Sequence, residues 1–95
     1  MWYLLKFDYS TSDASKTLTK FVGYSQFADA KQVFDHLELG YQLNTPLRAK
    51  GGKMINVSGA WLYESFKDHY PAAVEAVTAG TETLMYDAQE IEIDL

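Results

Sequence analysis

Histidine beside aspartate is the first pattern in this sequence that could do chemistry. Each of the two histidines follows an aspartate, in Asp35-His36 and Asp68-His69. A carboxylate that orients an imidazole is the core of many acid/base sites. Adjacent residues of a helix point about 100° apart, however, so neither pair forms a dyad by itself. We expect two solvated histidines, and keep as the alternative a small acid/base enzyme that combines His36 or His69 with a tyrosine and an aspartate.

A basic, glycine-containing segment is the second candidate. Arg48, Lys50 and Lys53 flank Gly51 and Gly52, and the backbone N–H groups and cations of such a loop could bind a phosphate. The segment lacks the Gly-Lys-Ser/Thr of a P-loop, and no helix start follows it. We interpret it as a connector that precedes a strand.

Metal and redox chemistry have little support in this composition. The absence of cysteine excludes a disulfide scaffold and a thiolate zinc site. Two separated histidines are a poor ligand set for a transition metal. We therefore expect no metal, no cofactor and no catalytic residues.

Aromatic residues are more numerous than a core of this size requires, with two Trp, seven Tyr and five Phe. Tyrosine and tryptophan are favoured where a surface meets a partner. Trp2 shares one face of a predicted strand with Leu4, and Trp61 shares another with Tyr63. We expect Trp2, Trp61 and Tyr63 to contact a protein partner or a second copy of the chain, which makes a homodimer a further expectation. The alternative is that the aromatics fill the core.

The charge is acidic and unevenly distributed. Residues 1–53 contain seven basic and five acidic residues, a net of +2, whereas the rest has one basic residue against eight acidic ones, a net of −7. This balance opposes direct nucleic-acid binding and favours a basic partner. Glu90, Glu92 and Asp94 lie at intervals of about 6.7 Å on one face of a strand. We expect this row to bind a basic or nucleic-acid-binding protein by imitating DNA, the alternative being a solvated strand face.

Two strands and a helix are predicted in the first half of the chain. Apolar residues alternate from Trp2 to Tyr9, which is typical of a strand, and a second strand from Leu18 to Tyr24 completes a hairpin. Apolar residues then recur at spacings of three and four from Phe27 to Leu37, which predicts an amphipathic helix. We expect Ser25 to cap this helix and Gly40 to end it.

The second half is predicted to be a loop, an extended segment, a helix and a strand. The loop spans residues 41–53, with a short extended piece at residues 41–43, and residues 54–64 are extended, interrupted at Ser58-Gly59 by a hairpin turn or a bulge. Asp68 is the predicted cap of the second helix, Pro71 lies in its first turn and Gly80 ends it. The final strand changes phase, so we expect an extra residue near positions 87–90.

Together these features predict one domain, residues 1–95, with an α+β fold. We expect a two-layer sandwich of a twisted, mainly antiparallel sheet with two helices on one face, in the order ββα, β or ββ, αβ. No signal peptide and no membrane span are expected, so a cytoplasmic protein is the default. The predicted function is a small acidic, non-enzymatic protein-binding module. It would act as an inhibitor or adaptor by occluding a surface of a larger protein, like phage or mobile-element antagonists of host nucleic-acid machinery.

Overall fold

The computed structural model describes residues 1–11, 16–49 and 51–88. Five strands and two helices lie within them: β1 (Trp2–Thr11), β2 (Leu18–Tyr24), α1 (Phe27–Gln42), β3 (Leu47–Arg48), β4 (Met54–Ser65), α2 (Tyr70–Thr78) and β5 (Thr83–Asp87). Neither helix in this part of the chain is long and apolar enough to cross a membrane.

All strands form one antiparallel sheet, whose longest member is β4. The order is β2-β1-β4-β3, and β5 also pairs with β4, so β3 and β5 lie along the same side of β4. β1 pairs with β4 from Trp2 opposite Ser65 to Thr11 opposite Ile55. The predicted hairpin of β1 and β2 is confirmed, with Tyr3 opposite Tyr24 and Tyr9 opposite Leu18.

One face of the sheet, which we call the α1 face, carries the main core. Leu5 and Phe7 of β1 point to this face, and the buried residues Ala30, Phe34 and Leu37 of α1 pack against it. Their spacing of three and four places them on one side of the helix. Ala60 and Leu62 of β4, with Ala88 just after β5, complete the buried cluster of this layer.

Within the described part of the chain, the opposite face, which we call the α2 face, is covered by α2 at one end only. Trp2 and Leu4 point to this face, because they alternate with Leu5, and Leu4 is fully buried. The Tyr70 ring packs edge-on against Trp2 at a centroid distance of 5.9 Å. Its hydroxyl donates a hydrogen bond of 3.0 Å to the carbonyl of Phe21. α2 therefore rests on β1 and β2 near the start of β1.

The predicted α+β sandwich with an antiparallel sheet and two helices is confirmed. One detail differs, since we expected both helices on one face and these contacts place α2 opposite α1. The start of β1 explains the difference, because Trp2, Tyr3, Leu4 and Leu5 are apolar at both parities. Each face of the sheet consequently has an apolar end to bury.

The predicted ends of the first helix were wrong. The N-cap is Gln26 rather than Ser25, and it forms no side-chain cap hydrogen bond. Gly40 lies inside α1 instead of ending it, and is buried. A Cβ at Gly40 would lie 2.8 Å from the Leu47 side chain, so this glycine allows close packing rather than termination. The short extended piece lies at Leu47–Arg48 rather than at residues 41–43.

The second half follows the prediction more closely. Ser58-Gly59 is a bulge within one long strand, since the β1–β4 register shifts between Asp8 and Tyr9. The N-cap of α2 is His69 rather than Asp68, and Pro71 lies in its first turn as expected. Gly80 follows the helix with a φ of 76°, a backbone conformation that favours glycine. The β4–β5 register shifts opposite Leu62 and Tyr63, slightly before the predicted phase change, part of which lies outside the described residues.

Candidate functional site

The part of the α2 face that α2 leaves uncovered is the candidate site. Trp2 Nε1 donates a 3.3 Å hydrogen bond to the Asp68 carbonyl just before α2. The first residue of α2, Tyr70, lies over β2 and hydrogen-bonds to Phe21. After α2 the chain reaches β5, where Thr83 pairs with Glu64 of β4. α2 thus crosses the strands at one end, and no other helix or strand of the described residues covers the surface beyond it. We call this surface the open face and define it by seven residues: Lys6, Asp8, Thr19, Phe21, Trp61, Tyr63 and Asp87.

Strand register brings these residues together. Lys6 lies opposite Phe21 of β2 on one side and opposite Trp61 of β4 on the other. Trp61 in turn lies opposite Asp87 of β5. Residues directly opposite one another share a sheet face with Cβ atoms about 5 Å apart. The open face therefore contains a continuous row, Phe21-Lys6-Trp61-Asp87, across four strands.

Trp61 is the largest side chain of this row, and a glycine fixes its position. A Cβ at Gly59, two residues earlier on the same face, would lie only 2.5 Å from the indole. The ring can therefore lie over the backbone at Gly59, with the Lys6 ammonium 5.0 Å from the ring centroid. Cation–π attraction holds the two side chains together. The result is an aromatic platform carried by adjacent strands.

The polar groups of the open face have mixed charge. Thr19 donates a hydrogen bond of 2.6 Å to Asp8, which restrains that carboxylate beside Lys6. Burial raises the pKa of the Tyr63 phenol above its ordinary 10.0, and the negative charge of Asp87 raises it further. The phenol therefore stays protonated, and able to donate a hydrogen bond, to a higher pH than an ordinary tyrosine. Apolar area with hydrogen-bonding groups around it is typical of a recognition surface.

The titration of Tyr63 provides a test of this geometry. Asp87→Asn is expected to lower the pKa of Tyr63, while burial keeps it above the ordinary value. Because the pKa is raised in the folded state, Tyr63 ionisation should reduce stability as pH rises through and above 10.0. NMR titration of labelled tyrosines would measure this, with Tyr63→Phe to assign the signal. A Tyr63 pKa unchanged by Asp87→Asn would contradict the proximity of the two groups.

Two of the six predicted partner-binding residues belong to the open face. Trp61 and Tyr63 lie on the open face, two residues apart on β4. Trp2 packs against Tyr70 and holds the start of α2 on the sheet, so it has a structural role. Its contact with a partner stays a prediction. Glu90, Glu92 and Asp94 lie outside the described residues, and their role stays a prediction.

The two histidines are not brought together. His36 lies on the exposed surface of α1, in a shallow groove that also includes Asp35 and Leu39. His69 precedes α2, and the sheet separates the two helices. Among residues 1–11, 16–49 and 51–88, no group of three or more histidines and acidic residues could hold a metal ion.

Gly51 and Gly52 of the basic segment lie between β3, which contains Arg48, and β4. The Ala49 N–H donates a hydrogen bond of 2.6 Å to the Lys53 carbonyl and closes the turn. Gly51 and Gly52 have φ values of 92° and 87°, which glycine adopts without a steric penalty. The segment is the connector before a strand that the sequence predicted.

Sequence reasoning missed several residues of the open face. Lys6, Asp8, Thr19 and Phe21 were not predicted as site residues. A signal was present in the alternation of β1 and β2, which assigns each residue to a face. Alternation does not give the register of β4 against β1, and only that register places Trp61 beside Lys6.

Comparison with known proteins gave no relative. No protein-family model, no curated protein and no solved structure matches the chain. The functional assignment therefore rests on the open face itself.

Proposed function

We propose that this protein is a small non-enzymatic protein-binding module, an inhibitor or adaptor that occludes a surface of a larger protein with its open face. The row Phe21-Lys6-Trp61-Asp87 is the observation that supports this proposal most directly. It combines aromatic area and charged groups on adjacent paired strands, so little conformational entropy is lost when a partner binds.

The composition of the row resembles that of protein interfaces. Tryptophan and tyrosine dominate the energetics of many interfaces, where they lie near the centre and are surrounded by polar groups. Trp61 and Tyr63 occupy such a position, with Asp8 and Asp87 at either side. A platform of this type favours a broad protein surface over a small ligand.

The charge of the chain favours a basic partner. A net charge of −5 steers cationic surfaces towards the protein and repels nucleic acid. A nucleic-acid-binding protein has the complementary charge, so antagonism of nucleic-acid machinery, of the kind that phages and mobile elements use, is part of the proposal. Mimicry of DNA by Glu90, Glu92 and Asp94 is its further, separately testable prediction.

The test uses the chain as bait in lysate of its source organism, with two matched variants. Trp61→Ala removes the platform, whereas Phe66→Ala removes an aromatic that is 70% exposed beyond the end of β4, outside the open face. A specific partner should be retained by the wild type and by Phe66→Ala. Its affinity for Trp61→Ala should be lower by about tenfold or more.

A further variant, Lys6→Glu, distinguishes loss of binding from loss of the fold. Lys6→Glu keeps the indole but reverses the charge over it, and its melting temperature should remain close to that of the wild type. It should also weaken binding, because the Trp61 ring loses its cation–π contact, and we expect this loss to exceed the added attraction of a carboxylate for a basic partner. Retention of the same partner with equal affinity by both Trp61→Ala and Lys6→Glu would exclude the open face as the binding surface.

A further inference from the structure

The outer side of β2 is a sheet edge that no other described strand pairs with. Among the described residues β2 pairs with β1 alone, so N–H and C=O groups on its other side have no strand partner. Proteins usually protect such edges with charges, prolines or bulges. In β2, Leu18–Tyr24, Lys20 is the single charged residue, proline is absent, and the register shifts of the sheet involve β4 and its neighbours instead.

The sequence of β2 is self-complementary about its midpoint, Phe21. Antiparallel pairing with a second copy, centred on Phe21, uses all seven residues of the strand. It places Phe21 opposite Phe21 of the second copy and Lys20 opposite Val22. A register centred one residue earlier would place the two lysines directly opposite each other, which is unfavourable. Charge therefore disfavours the earlier register, and the register centred on Phe21 is the one that pairs all seven residues of β2.

The same register covers apolar surface at both ends of the strand. Leu18 is 44% exposed and Tyr24 is partly exposed, and both point to the α1 face. In the register centred on Phe21, Leu18 of each copy lies opposite Tyr24 of the other. We propose that the protein forms a two-fold symmetric dimer by pairing β2 with β2 of a second copy, with the axis at Phe21.

The contact of Tyr70 with β2 is compatible with this pairing. Tyr70 of α2 lies over β2 at Gly23, and Gly23 of the second copy would be about 13 Å away along the strands, so the two Tyr70 contacts would lie at opposite ends of the paired strands. The Tyr70 hydroxyl donates to the Phe21 carbonyl. A carbonyl oxygen has two lone pairs, and one remains available to a strand N–H.

Dimerisation would join the two open faces. The row that ends at Phe21 would continue into the same row of the second copy, so eight strands would carry one uninterrupted surface. The dimer does not depend on the proposed partner. It rests on the free edge and the sequence of β2.

Light scattering and sedimentation over a dilution series test the dimer. The wild type should approach twice the 10.8 kDa of the chain at high concentration. Phe21→Glu and Phe21→Lys each place like charges opposite one another at the axis and should weaken the dimer about tenfold or more. An equal mixture of the two variants should restore it, because a carboxylate then lies opposite an ammonium group. The control Phe66→Glu adds a charge away from β2 and should remain dimeric.

Hydrogen exchange on the wild type provides a second measurement that needs no substitution. Amides of β2 should become better protected as concentration rises, while amides of β3 should not change. Trp61→Ala should stay dimeric, which separates this proposal from the loss of partner binding. A wild-type monomer at millimolar concentration would overturn the dimer, as would a folded pair of Phe21 variants whose mixture stays monomeric.

Discussion

Phe34→Ala is expected to lower the free energy of unfolding by about 3 to 5 kcal/mol. Phe34 is fully buried between α1 and the sheet, and the centroid of its ring lies 5.8 Å from that of the Tyr86 ring. Alanine would leave a cavity that the surrounding residues fill only in part. The loss is expected to be large for a domain of this size, since total stability is only about 5 to 15 kcal/mol.

Urea denaturation followed by circular dichroism measures this loss. Phe66→Ala is the matched control, because it removes the same atoms from a side chain that is 70% exposed. Its effect should stay within about 0.5 kcal/mol. A loss of less than about 1 kcal/mol for Phe34→Ala would show that α1 does not pack on the sheet as described.

Gly23→Ala is expected to reduce stability by about 1 to 3 kcal/mol through overpacking between β2 and α2. A Cβ at Gly23 would lie 2.8 Å from the Tyr70 ring and 3.0 Å from the Trp2 ring. Both rings are held by hydrogen bonds to backbone carbonyls, at Phe21 and Asp68 respectively. Neither ring can move freely, so α2 would shift away from the sheet.

Gly51→Ala is the matched control for this substitution. Nothing lies within 4 Å of a Cβ at Gly51, and its φ of 92° makes alanine unfavourable for backbone reasons alone. Both variants should lose stability, but only Gly23→Ala should change the near-UV signal and fluorescence of Trp2. A wild-type tryptophan spectrum for Gly23→Ala, with unchanged stability, would contradict the docking of α2 on this face.

The elements themselves follow from local periodicity. Alternation predicted β1, and β2 was predicted as its hairpin partner with the observed bounds. Spacings of three and four predicted α1, and Gly80 predicted the end of α2. These features depend on neighbours within a few residues, because strand and helix geometry repeats over two and 3.6 residues. Gly40 was wrongly predicted to end α1, because its close approach to Leu47 is a tertiary contact that local periodicity does not reveal.

Composition and local periodicity are sufficient to predict an acidic α+β domain that is rich in aromatic residues. Which face each helix covers was decided by the tertiary structure, because the start of β1 is apolar at both parities and suits either face. Register between distant strands then placed Lys6 beside Trp61, and the absence of a side chain at Gly59 made room for the indole. A single strand defines which residues share its face, but only pairing across the sheet defines which residues are neighbours.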